Sequence, residues 1–148
     1  MIIIDSSVAA KWLFPEDDSD LAFALLEDHV DRNELVVGPH LLPIELTNVI
    51  RQRMRRQGMF LDDAESALER FFTYPVELQP VTETGHRLMN RRALAISAAF
   101  DLPASYDAHY LALAELLDCP FWTADQRLLR ALDGRFPLIR GLANYVPA

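Results

Sequence analysis

A chain of 148 residues that is 51% apolar has enough buried surface for one core, which excludes an intrinsically disordered protein. Its formal net charge of −8 argues against non-specific nucleic-acid binding by charge alone. No apolar run approaches the about 20 residues of a membrane span, no basic segment of a signal peptide opens the chain, and Cys119 is the only cysteine. Disulfide frameworks and thiolate metal clusters are thereby excluded, and a reducing cytoplasm is the expected compartment.

In chain order, MIII reads as a buried strand, and residues 7–14 as a helix stopped by Pro15. EDDSD opens a second helix with Leu21, Ala22, Leu25, Leu26 and Val30 on one face. ELVVG is a second strand, ended by Gly38-Pro39. LLPIELTNVIRQRMRRQG follows as a helix: Pro43 suits its first turn, Leu42, Leu46, Val49 and Ile50 form its apolar stripe, and Gly58 terminates it. Residues 61–73 form another helix that begins at Asp62-Asp63, and VELQPV is the third strand.

A helix over 82–100 starts at Thr82. Ser105 is the expected cap of YDAHYLALAELLD, whose apolar stripe runs through Tyr106, Tyr110, Leu113 and Leu117. PFWT, ADQRLLRAL and FPLI read as strand, short helix and fifth strand. Strands that alternate with helices predict a single three-layer α/β/α domain, residues 1–148, around a parallel sheet of about five strands. Ligands of such sheets bind beyond the carboxyl ends of the strands.

Thirteen of the fourteen basic residues are Arg, and four of them crowd into RQRMRR. Arg favours bidentate phosphate contacts, although each cluster also reads as a solvated helix face. Four carboxylates stand near strand ends or helix starts: Asp5 after the first strand, Glu45 inside LLPIELTNVI, Asp107 in a first helical turn, and Asp125 after PFWT. Each has a plain explanation as a helix cap or first-turn acid. If they converge, their mutual repulsion calls for protonation or for a hard divalent cation, Mg²⁺ or Mn²⁺, held by oxygen ligands. His29, His40, His86 and His109 show no convergent spacing, so no zinc site is expected.

The stretches IIIDSSV, LLPIELTN, SYDAHYLALAE and TADQRLL, in that order, resemble the PIN domain of VapC-type toxins, the toxin halves of toxin–antitoxin pairs. The resemblance runs from Ile2 to about Leu132 and implies a PIN-like fold. It implies that Asp5, Glu45, Asp107 and Asp125 are metal-binding catalytic acids, with Ser6, Asn48 and Thr123 in support. It further implies a Mg²⁺-dependent endoribonuclease that inhibits translation, an RNA substrate, a cognate antitoxin that blocks the site, and a homodimer. Phe23, Phe60, Phe71 and Phe72 are the apolar residues from which a dimer or antitoxin surface is expected to draw.

Other classes fit less well. A haloacid-dehalogenase-type phosphatase needs a second Asp where Ser7 stands, and a receiver domain needs a late Lys where the only Lys is Lys11. A catalytically silent PIN-like binding or scaffold domain is the non-enzymatic alternative, and the intact four acids weigh against it.

Overall fold

The computed structural model describes residues 1–79 and 82–148. Five short strands form one parallel sheet: β1 (Ile2–Ile4), β2 (Val36–Gly38), β3 (Val76–Leu78), β4 (Phe121–Thr123) and β5 (Ile139–Gly141). Their spatial order is β3-β2-β1-β4-β5. The chain therefore moves outward on one side through β2 and β3, then returns to β1 and moves outward on the other side. The order reverses between β1 and β4, where Ile3 pairs with both Val37 and Phe121. Such a reversal leaves a crevice at the carboxyl ends of the two strands.

The helices among the described residues are α1 (Ser6–Leu13), α2 (Ser19–Asp31), α3 (Leu41–Gln57), α4 (Leu61–Phe71), α5 (Glu83–Ala99), α6 (Tyr106–Leu117) and α7 (Gln126–Leu132). A short 3-10 turn covers Leu142–Asn144. α1 packs on α2, α3 and α4, while α6 packs across β1 and β4 and pairs with α5. The sheet is thus covered by helices in the expected α/β/α arrangement. Ile2, Ile3 and Ile4 are all buried, as a central parallel strand demands. Complete burial of such a side chain is worth about 1.5–3 kcal/mol.

Two glycines shape α3. Gly38 ends β2 beside Leu42, whose Cδ2 would lie 2.5 Å from any Cβ placed there. That close approach seats the first turn of α3 against the strand end. Gly58 then closes the helix in the left-handed region at φ 68°.

Several element limits differ from those read in the sequence. The fifth strand is Ile139–Gly141, not FPLI: Phe136 enters the core instead, and Pro137 has no N–H to give a ladder. Of VELQPV, Val76–Leu78 is strand, while Pro80 and Val81 lie outside the described residues. On α2, His29 is buried and Val30 exposed, because Ala22, Leu25, Leu26 and His29 complete the helical period. His29 lies near the Leu25 carbonyl oxygen through Nδ1 and near Glu34 through Nε2. Ser105 makes no side-chain cap; its carbonyl lies 2.7 Å from His109 Nδ1.

Candidate active site

Topology places the four acids. α1, α3 and α7 leave directly from the carboxyl ends of β1, β2 and β4. α6 enters β4 from the other end of the sheet and so runs antiparallel to it, with its N-terminus at the same edge. Helix starts therefore gather at the β1/β4 crevice, and Asp5, Glu45, Asp107 and Asp125 come with them. Their proximity is electrostatic as well as topological: Asp5 feels Asp107, Glu45 feels Asp5 and Asp107, and Asp107 feels Asp125.

Asp5 is 6% exposed and is the N-cap of α1. Oδ1 accepts from the backbone N–H of Ser7 at 3.0 Å and of Val8 at 3.1 Å, which caps α1. Oδ1 also accepts from the Ser7 hydroxyl, and Oδ2 accepts from the Thr123 hydroxyl. Ser7 Oγ accepts from Ala124 N at 2.8 Å, tying α1 to the end of β4. Thr123, fully buried, accepts from Asp125 N at 3.0 Å. Two hydroxyls therefore stitch the ends of neighbouring strands together around one carboxylate. Burial raises the Asp5 carboxyl to about 6, against the opposing pull of these hydrogen bonds.

Asp125 likewise caps its helix, accepting from Arg127 N and Leu128 N. Glu45 is held differently. Among the described residues its hydrogen bond is from the Tyr110 hydroxyl to Oε2. Tyr110 is buried and stacked on Phe121, with ring centroids 5.4 Å apart and 14° between planes. Desolvation, with repulsion from Asp5 and Asp107, raises Glu45 to about 7, although the Tyr110 bond pulls it down. Burial also raises Asp107, helped by Asp125 and opposed by the nearby Arg127 guanidinium. The Tyr110 hydroxyl is pushed well above its ordinary range by the same burial and by Glu45, so it stays a donor.

Tyr110 was missed as a functional residue because it satisfied the apolar stripe of α6. The signal was its spacing: it stands three residues after Asp107 and shares that helix face. Among the described residues the Ser6 and Asn48 side chains make no hydrogen bond to Asp5; they line a groove of about 420 Å³ with Glu45, Leu41, Ile44 and Tyr106. Tyr106, expected in the apolar stripe, is 61% exposed at the first position of α6. His40, His86 and His109 line a second groove of about 440 Å³ that adjoins the first, without forming a metal-holding cluster among the described residues. The fold brings them together across β2, α5 and α6, which no sequence spacing reveals.

Among the described residues no three Asp, Glu, His or Cys side chains are arranged to grip one ion directly. The donor set nonetheless suits a hard cation. All four acids offer carboxylate oxygens, and Mg²⁺ binds through only one or two carboxylates while keeping several waters. Burial first, then repulsion by Asp107 on Asp5 and by Asp5 and Asp107 on Glu45, pushes both carboxyls up, and a divalent cation would relieve that penalty.

A family model described as PIN domain matches residues 2–134. VapC ribonuclease Mb0985 of Mycobacterium bovis and ribonuclease VapC9 of Mycobacterium tuberculosis are each 30% identical over 138 residues, covering 93% of this chain and 96% of theirs. The crystal structure of PAE2754 from Pyrobaculum aerophilum superposes with a TM-score of 0.64 at 17% identity, over 96% of this chain and 89% of that one. This last likeness supports the fold.

Proposed function

The chain belongs to the PIN domain family, of VapC type, and from that premise we propose that it is a metal-dependent endoribonuclease toxin. The observation that carries the reading is the gathering of Asp5, Glu45, Asp107 and Asp125 in one desolvated crevice between β1 and β4. Asp5, Glu45, Asp107 and Asp125 would hold Mg²⁺, or Mn²⁺ in its place. When bound, the cation supplies charge neutralisation and activation of water for hydrolysis of a phosphodiester bond.

The chain's own residues do the rest. The Ser7 hydroxyl on Oδ1 and the Thr123 hydroxyl on Oδ2 fix the orientation of the Asp5 carboxylate. Tyr110 steers Glu45 toward the crevice and favours its ionised form. Asn48 and Ser6 present neutral polar groups along the groove where a ribose-phosphate chain would lie. Hydrolysis consumes one water and leaves two RNA ends, so no covalent nucleophile is required.

The biological setting proposed is that of a toxin: internal cleavage of RNA, inhibition of translation, and neutralisation by a cognate antitoxin that covers the acidic site in the cytoplasm. No helix among the described residues is long and apolar enough to cross a membrane. A homodimer is the proposed assembly. Phe60 and Phe72, 79% and 55% exposed, are the apolar residues available to a partner, whereas Phe71 belongs to the core and Phe23 packs against it.

Expression of wild type and Asp107→Asn in cells, with RNA 5′ ends mapped, tests the reading. New ends with wild type alone support it; identical end profiles overturn it. Activity lost in EDTA and restored by Mg²⁺ or Mn²⁺ tests the metal requirement.

A further inference from the structure

Three grooves run end to end along one face of α3. The histidine-bordered groove and the central groove share Leu41, Ile44 and Tyr106. The central groove in turn shares Asn48 and Val49 with a third, of about 330 Å³, lined by Gln52, Arg53 and Arg56. Leu41, Glu45, Asn48, Gln52 and Arg56 recur at helical spacing, so a single helix face lines the whole trench. From Leu41 to Arg56 it rises roughly 22 Å at about 1.5 Å per residue.

The trench differs in chemistry along its length. Where the histidine-bordered and central grooves meet, Tyr106 and Ile44, 61% and 66% exposed, present an aromatic face and an aliphatic edge that cover no core. In the third groove the basic motif supplies the cations. Arg53 is committed: it pairs with Glu16, donates to Gln57 and lies over the Phe14 ring at 4.4 Å. Arg56 is exposed and, among the described residues, has no hydrogen-bond or ionic partner. Arg55 lies outside the trench lining.

Resting on the ribonuclease reading, we propose that an unpaired RNA strand lies along α3, with the bond to be cut over Glu45 and Asn48. One base stacks on Tyr106, and the flanking phosphate on the other side contacts Arg56. A flat exposed ring suits a base of any sequence, and an unpartnered guanidinium suits a phosphate. The acidic centre between them matches the position where metal would carry the cut bond. An unpaired strand is required because a base must leave its helix to stack on the ring.

The test is binding of a fluorescein-labelled, single-stranded RNA of randomised sequence, by anisotropy in Mg²⁺, with Asp107→Asn present throughout to silence cleavage. Tyr106→Ala weakens binding by about tenfold and Tyr106→Phe restores most of it, as loss and return of one stacked base predict. Arg56→Ala weakens binding and lowers the slope of log affinity against log salt by about 0.7, one phosphate's worth for a single strand. Arg55→Ala, in the same motif but off the trench, leaves the slope unchanged. Unchanged binding in Tyr106→Ala, or an unchanged slope in Arg56→Ala, overturns this register. Absence of binding while wild type still yields new RNA ends in cells also overturns it and spares the ribonuclease reading. Absence of both binding and new ends overturns the two together.

Discussion

Asp5 and Glu45 carry the same charge into the same crevice, yet the protein supports them in opposite ways. Asp5 accepts from two backbone N–H groups and from the hydroxyls of Ser7 and Thr123, and it is nearly sealed from solvent. Glu45 is half-buried and, among the described residues, its side chain holds one bond, from Tyr110. The strand-end half of the site is therefore part of the fold, whereas the α3/α6 half is carried on its surface. A substitution near Asp5 should disturb stability and activity together; one near Glu45 or Asp107 should disturb activity with stability spared.

The sharpest break in that comparison is Asp107→Asn. Removal of a metal-binding carboxylate should lower RNA cleavage by about 10³-fold or more, since the cation supplies several kcal/mol of transition-state stabilisation. The melting temperature should hold or rise, because Asp107 repels its acidic neighbours. A large fall in melting temperature would place Asp107 with the structural half instead.

Thr123→Val tests the other half. It removes the donor to Asp5 Oδ2 and the acceptor for Asp125 N at a fully buried position. An unsatisfied buried group costs about 1–3 kcal/mol, readable by urea denaturation. Divalent-cation affinity should fall by about 10–100-fold as Asp5 loses its orientation.

The protonation of both halves gives a pH test. Asp5 rises from an ordinary 3.8 to about 6, and Glu45 from 4.5 to about 7, so both bind protons more tightly in the fold than unfolded. Without divalent cations, stability is then greatest below the ordinary carboxyl values. It declines as pH rises through the folded ones, by about 3 kcal/mol from Asp5 at about 1.4 kcal/mol per pKa unit, with a smaller, solvent-screened contribution from Glu45. Added Mg²⁺ should stabilise more at about pH 8 than at about pH 5, because at low pH it must displace protons. A thermal melt series with and without Mg²⁺ reads this directly; a stability that climbs with pH in EDTA would contradict it.

The smallest effect expected is that of Tyr110→Phe. The stack on Phe121 survives and a single hydrogen bond to Glu45 goes, at about 1 kcal/mol. Since that bond holds the Glu45 carboxyl down, its loss should move the acid limb of the cleavage profile upward in pH. Ser6→Ala is the companion control: Ser6 lines the groove and, among the described residues, its side chain makes no hydrogen bond to Asp5, so stability should not move.

What the amino-acid sequence determined by itself was local in origin. Three isoleucines before an aspartate make a buried strand and a capped helix start, Gly38-Pro39 ends a strand, and Gly58 ends a helix, because backbone dihedrals and capping depend on near neighbours. Alternation of strands and helices then implied the parallel sheet, and the four short motifs pointed to the acids. Tertiary structure alone decided which polar groups would meet. Thr123 is separated from Asp5 by most of the chain, yet it closes on that carboxylate because β1 and β4 are neighbours at the point where strand order reverses. Tyr110 became the partner of Glu45, and three histidines came to border one groove, for the same reason. Helical and strand periods report which face a residue occupies, while strand order decides what faces it across the crevice, and that order is fixed by packing between segments far apart in the chain.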